Sequence, residues 1–293
     1  SLLPGGPAWI PATASLGVFV ALHTGHAALF RYDVWRDHFD VMAVSNVLLG
    51  MALLLLCGLV YVMHETGFIL LNKSKWTHPD LRKRYLILAA AFVTMRASEK
   101  FAVDGGDAAD ALYVLRCGVP AAIVFAEFIA LKRRLRALHV MALFALLLAV
   151  VIEIPRIALP FVGARSTFSS FFFNILILVC DTVFLVGIGW ALRPTQNAHW
   201  DTGDVVFCFS GVAAVALLVL EALLGDWAAL SKFGSALSGF SVFTSGLMLI
   251  LLMAGVNLMR FYAIENTTVL TTQLSTFLPS LIMDYYSRSL SQI

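Results

Sequence analysis

Between Tyr85 and Val103 a mostly apolar run, YLILAAAFVTMRASEKFAV, holds three ionisable side chains: Arg96, Glu99 and Lys100. A helix of about twenty residues crosses a bilayer core of roughly 30 Å. Ions at that depth are costly in lipid, so they must look at a bundle interior, a cavity or a partner chain. The run therefore requires other helices around it, and the rest of the chain supplies them. Of 293 residues, 60% are hydrophobic and 13% charged, against about 25% charged in an ordinary soluble domain. Mean hydropathy is +0.88. A net charge of +2 leaves no electrostatic footprint for nucleic acid.

The pattern predicts an all-α protein, a polytopic transmembrane helix bundle of seven spans. They fall at about 41–71, 83–103, 111–131, 138–162, 168–192, 204–224 and 237–262. Residues 41–262 then form the bundle, behind an N-terminal segment 1–40. Within that segment 12–30 is an eighth hydrophobic stretch, either an extra span or an interfacial helix. Residues 31–40, RYDVWRDHFD, suit a headgroup region. No basic region precedes a short apolar core near Ser1, so a retained signal peptide is not expected. The tail 263–293 is too polar to span. Leu270, Leu274, Phe277, Leu278 and Leu281 recur at helical spacing there, interrupted by Pro279. An amphipathic helix on the inner face, or one docked on another membrane subunit through 264–293, is expected.

Lys and Arg in short loops set direction across a membrane. Lys73, Lys75, Arg82, Lys83, Arg84, Lys132, Arg133, Arg134, Arg136, Arg193, Arg260 and Arg288 fall on one side. Arg31, Arg36, Arg165 and Lys232 fall on the other, and four more lie inside spans. Twelve against four places loops 72–84 and 132–136 and the C-terminus on the cytoplasmic, matrix or stromal side. The loop at 104–110, DGGDAAD, then lies outside and carries only acids. Trp35, Trp76, Trp190, Trp200 and Trp227 sit near span ends, as an aromatic belt does. The glycosylation patterns at Asn72 and Asn266 fall on the inner side and are not expected to be used.

This orientation puts most intramembrane charge at mid-depth or outward. Arg96 and Glu99 are three apart and meet on one helix face; Glu153 and Arg156 repeat that spacing beside Pro155. Lys100, Arg116, Asp181 and Glu221 complete the set, and Glu127 alone lies inward. Either these groups line an outward-facing polar cavity for a small polar or zwitterionic ligand, or they pair with one another and hold the bundle together. His23 and His26, in HTGH, share a helical face and are weak metal candidates, with His38 and His64 nearby. They are read as interfacial polar residues, and no metal or other cofactor is predicted; bound lipids are. Cys57, Cys117, Cys180 and Cys208 all lie in apolar runs without ligand spacing, which suggests neither a zinc site nor a disulfide framework. His64-Glu65 does not continue into H-E-x-x-H, and no phosphate loop or G-x-S-x-G occurs. An enzyme is disfavoured. Small residues from Ser231 to Gly246 suit close helix contact at the start of the run at 237–262.

Over residues 70–135 the chain resembles the plant tobamovirus-multiplication proteins and their orphan receptor-like animal relatives. The likeness rests on the Trp76 loop leading into a span, Arg96 with Phe101 after it, then Pro120 followed by Phe125-Ala126-Glu127. It implies a seven-span receptor-like layout with an outer N-terminus and an inner tail. Rhodopsin-type receptors fit less well: the run at 111–131 ends without an Asp-Arg-Tyr-like triplet, and the last span has no lysine for a retinal Schiff base. The expectation is a non-enzymatic, receptor-like or scaffold-like membrane protein with an outward polar cavity. An accessory subunit of a large membrane assembly is the alternative, and a small-solute transporter ranks below it.

Overall fold

The computed structural model describes residues 9–30, 42–67, 71, 76, 78–104, 109–131, 140, 144, 168–193, 201–276 and 278. Among them are nine helices and no strand. In chain order these are α1 (Trp9–Phe30), α2 (Met42–Glu65), α3 (Pro79–Asp104), α4 (Ala109–Leu131), α5 (Phe168–Ala191), α6 (Thr202–Leu224), α7 (Trp227–Ala236), α8 (Phe240–Asn266) and α9 (Val269–Ser275). Helices α2, α6 and α8 are long and apolar enough to cross a membrane. At about 1.5 Å rise per residue each exceeds the bilayer core. Shorter apolar helical stretches run over Gly118–Ile129 in α4 and Ile175–Ala191 in α5. By length and composition this is a helical membrane protein.

The exposed side chains agree with that reading. On α6, Val215, Val219 and Leu223 are 57%, 50% and 75% exposed and lie on one stripe at i, i+4, i+8. On α8, Phe243, Leu247 and Leu251 make a second stripe, and Met51, Leu54 and Val62 are exposed on α2. Contiguous apolar surface of this kind is not left in water by a soluble monomer. Lipid tails satisfy it without cost.

Local chemistry sets the helix ends. Pro79 opens α3 at the position where its missing N–H costs nothing. The His78 Nδ1 accepts from the Asp80 N–H at 3.3 Å, which caps the first turn. The apolar run expected at 41–71 stops earlier: α2 ends at Glu65, and Gly67 takes φ +79°. That left-handed conformation suits glycine and terminates the helix. The span expected at 237–262 corresponds to α8, which begins three residues later and ends four residues later. Asp226 accepts from Ala228 and Ala229 N–H and starts the separate ten-residue α7. Only after the turn at Leu237–Gly239 does α8 begin, and it runs on to Asn266. The run expected at 138–162 lies outside the described residues except for positions 140 and 144, both helical.

The chain divides into two compact units, one of residues 1–86 with 191–293, the other Ile87–Trp190. In the first, α2 and α6 run antiparallel. Asn46 meets Glu221, Gly50 meets Leu218, and Cys57 meets Phe207 and Gly211. Helix α1 lies along α8, where Phe19, Val256 and Ala263 form a buried cluster flanked by Leu22 and Met259. Phe209 of α6 reaches Phe261 of α8, ring centroids 5.4 Å apart. Helix α9 continues from α8 and buries Val269, Leu270, Thr272 and Ser275. Of the expected leucine stripe, Leu270 is buried and Leu274 and Leu278 are exposed. Residues 279–293 lie outside the described residues.

Close approach by a small residue is seen where α8 meets α1. A Cβ on Gly234 would meet nothing within 4 Å, but one on Gly255 would stand 3.1 Å from Leu22 of α1. Gly255→Leu should therefore wedge α1 from α8 and cost about 1–3 kcal/mol, the usual penalty of overpacking. Thermal unfolding in detergent should show a lowered midpoint. Gly17→Leu, where a Cβ meets nothing within 4 Å, should leave it unchanged.

In the second unit α3 and α5 are antiparallel. Leu88 lies against Gly187, Phe92 against Phe184 at 5.0 Å, and Phe101 against Phe173 at 5.3 Å. Gly118 of α4 faces Leu178 of α5. These contacts set the register of the charged residues between them.

Candidate functional site

Arg96, Glu99 and Lys100 all sit on α3 of the second unit. The Arg96 Nη1 donates to Glu99 Oε2 at 2.5 Å, with side chains 14% and 7% exposed. Lys100 is 7% exposed. A charge-assisted bond between groups three residues apart is what the spacing predicts. In the helix register, Arg96 and Lys100 are one turn apart and so share a face.

The α3–α5 contacts place Asp181 close to the level of Arg96. The α4–α5 contact places Arg116 close to the level of Glu99. All five residues fall within about six residues of axial rise, or about 9 Å. Asp181 is half-buried, and Arg116 is placed here by its helical backbone alone. Glu127 is buried on α4, eleven residues beyond Arg116 and about 16 Å away along the axis. The second unit thus gathers Arg96, Glu99, Lys100, Arg116 and Asp181 into one layer on three helices. Glu153 and Arg156 lie outside the described residues.

Glu221 belongs to the first unit. It is 1% exposed, and its Oε1 accepts from Asn46 Nδ2 at 2.7 Å. Asn46 is fully buried, so this bond joins α2 to α6 inside the helix pair. At the other end of the same seam, Trp76 Nε1 donates to Asp204 Oδ1 at 3.0 Å. The Trp76 ring stacks on Phe207 at 4.6 Å, and Asp204 is fully buried. Asp204 sits in the first turn of α6, where the helix dipole favours an acid. His64 Nδ1 accepts from the Leu71 N–H at 3.1 Å and so holds the chain just after α2. Arg84 is 4% exposed, and its Nη1 donates to the carbonyls of Ala191 and Arg193. These lie at the end of α5, where helix carbonyls lose their intrahelical donors.

Asn46, Asp204 and the buried role of Arg84 are not foreseen from the sequence. Asn46 is the one of these with a local signal: an amide inside a run that is otherwise long and apolar. Trp76 reads as a belt residue, yet its partner is 128 positions away. No local pattern announces such a pairing.

His23 and His26 are half-buried on α1 and form a row of stacked rings with Phe19, at 5.8 and 6.2 Å. His38 lies outside the described residues. Among the described residues no three His, Cys, Asp or Glu side chains are grouped as a metal set. Cys57, Cys180 and Cys208 are free thiols.

What the arrangement supports is ionic: a mixed-charge layer in the second unit and two polar cross-links along α2–α6 in the first. Comparison with protein-family models and with curated proteins finds no match to the chain.

Proposed function

We propose that the chain is a non-enzymatic, seven-span integral membrane protein, receptor-like or scaffold-like, with a polar cavity opening to the outer face. One observation carries this reading. The ions within its helices are withdrawn from the surface, with Glu99, Lys100 and Glu221 all buried, while the exposed faces of α2, α6 and α8 are apolar. Each buried ion costs free energy in lipid, and a polar guest would offset part of that cost. The resemblance to the tobamovirus-multiplication and orphan receptor-like proteins over residues 70–135 supports the same layout. The basic loops 72–84 and 132–136 and the C-terminus then face the cytoplasm or its organellar equivalent.

Two measurements test this. Single cysteines introduced at Lys73 and Lys132 should react with a membrane-impermeant reagent only from the cytoplasmic side, and one at Asp107 only from the outer side. Reaction of Lys73 and Lys132 variants from opposite sides would refute the layout. Native mass spectrometry after mild extraction should show the chain alone with bound lipid. Stoichiometric co-extraction of other chains would favour the accessory-subunit reading, with the tail 264–293 as the contact.

A further inference from the structure

We propose that the N-terminal end of α3 holds an acidic phospholipid of the inner leaflet, its phosphate on Arg82 and Lys83 and an acyl chain along Leu86 and Ile87. The inference rests on the membrane layout above and gives one bound lipid a place and a headgroup class.

The first argument is the cations. Arg82, Lys83 and Arg84 are consecutive, and the helix turns them different ways. Arg84 is 4% exposed, and its Nη1 donates to the carbonyls of Ala191 and Arg193. Arg82 and Lys83 are exposed, and neither side chain has an ion pair or hydrogen bond among the described residues. The acid at this end, Asp80, lies 3.9 Å from His78, and its charge reaches Arg84. Arg82 and Lys83 also fall within the first two turns of α3, where unsatisfied N–H groups already make the field positive. Cations there gain nothing from their own helix, and the helix end and the cations together favour an anion outside it.

The second argument is what lies one turn deeper. Leu86 follows Arg82 by four residues and Ile87 follows Lys83 by four, so each apolar side chain shares a helix face with a cation. Leu86 and Ile87 are 41% and 37% exposed, while Leu81, Leu88 and Phe92 on the opposite face are buried. The exposed face of this one unbroken helix therefore carries charge at its end and hydrocarbon about 6 Å further along the axis. A soluble anion matches only the first part. A phospholipid matches both, with its phosphate at the interface and its chain below. A zwitterionic headgroup brings its own cation toward Arg82 and Lys83, and a singly charged acidic one, such as phosphatidylglycerol, does not.

The test uses the full chain reconstituted in vesicles of mixed phosphatidylcholine and phosphatidylglycerol, extracted mildly and weighed by native mass spectrometry. Retained phosphatidylglycerol should be enriched over its share of the vesicle. Arg82→Gln and Lys83→Gln should each weaken its retention about fivefold, the effect of one cation at an acidic lipid surface. The swap Arg82→Lys/Lys83→Arg should keep it. Lys232→Gln, which removes an exposed cation from α7, should change nothing. Circular dichroism should show every variant folded, since all three positions are exposed. Equal retention of the two lipids, enrichment undiminished in Arg82→Gln/Lys83→Gln, or an equal loss with Lys232→Gln overturns the proposal. Displacement of the lipid by inorganic phosphate overturns it too, because the acyl chain would then add nothing, as does an acidic protein co-extracted in the lipid's place. The cysteine-labelling pattern is read independently, so the expected sidedness with no phosphatidylglycerol enrichment condemns the lipid site alone.

Discussion

Replacing Arg96 with leucine should destabilise the protein by about 3–5 kcal/mol, the cost of breaking a buried ion pair from one side. The pair is Arg96 Nη1 to Glu99 Oε2, with the carboxylate side chain 7% exposed. Leucine fills much of the space of the arginine stem, so lost packing is a minor part of the effect. The major part is a carboxylate held away from water without its guanidinium. The companion variant Arg96→Leu/Glu99→Leu distinguishes this from a general packing defect. If the penalty is an uncompensated charge, removing the second charge should recover most of the stability. A double variant as unstable as the single would show that the ion pair is not the cause. Equilibrium unfolding in detergent, followed by circular dichroism, reads both.

Asn46→Leu is the second large effect, about 2–3 kcal/mol, because its amide donates to a buried carboxylate and bonds to charged groups are the stronger kind. The bond of 2.7 Å crosses from α2 to α6, and Glu221 is 1% exposed. Leucine at position 46 cannot donate. Glu221→Gln should cost less, since a glutamine oxygen still accepts from Asn46 and no charge is left behind. The ordering is the checkable result: Asn46→Leu well below wild type in unfolding midpoint, Glu221→Gln between them. If Glu221→Gln proves the more damaging, the carboxylate's charge is stabilised by something stronger than Asn46.

Both effects depend on pairings of different legibility. Arg96 and Glu99 are three apart, and helical geometry alone brings them together. Asn46 and Glu221 are 175 positions apart. Glu221 stands out in sequence as an acid inside an apolar run, but its partner is an uncharged amide on another helix. The same contrast holds for Trp76 and Asp204. Helix ends were legible where a residue type enforces them, as with Pro79. They are less legible where hydropathy continues past the stop: apolar residues follow Gly67, so the run read as 41–71 ends at Glu65. Hydropathy reports solubility in lipid, and it does not report a left-handed residue or a capping carboxylate.

What composition and periodicity determined by themselves is the solvent. A chain with 60% hydrophobic residues in runs of helical length must expose apolar faces, and Val215, Val219 and Leu223 do so. They also determined which ions had to be hidden, since a charge inside such a run has no water to turn to. Only the tertiary structure decided what those ions face. Each helix can rotate and slide against its neighbours without changing its own hydrogen bonds. The register that sets Asp181 close to the level of Arg96, and Asn46 beside Glu221, is chosen by close contacts such as Leu88 with Gly187 and Gly50 with Leu218. Those contacts depend on side-chain shape between distant segments, which no local pattern encodes.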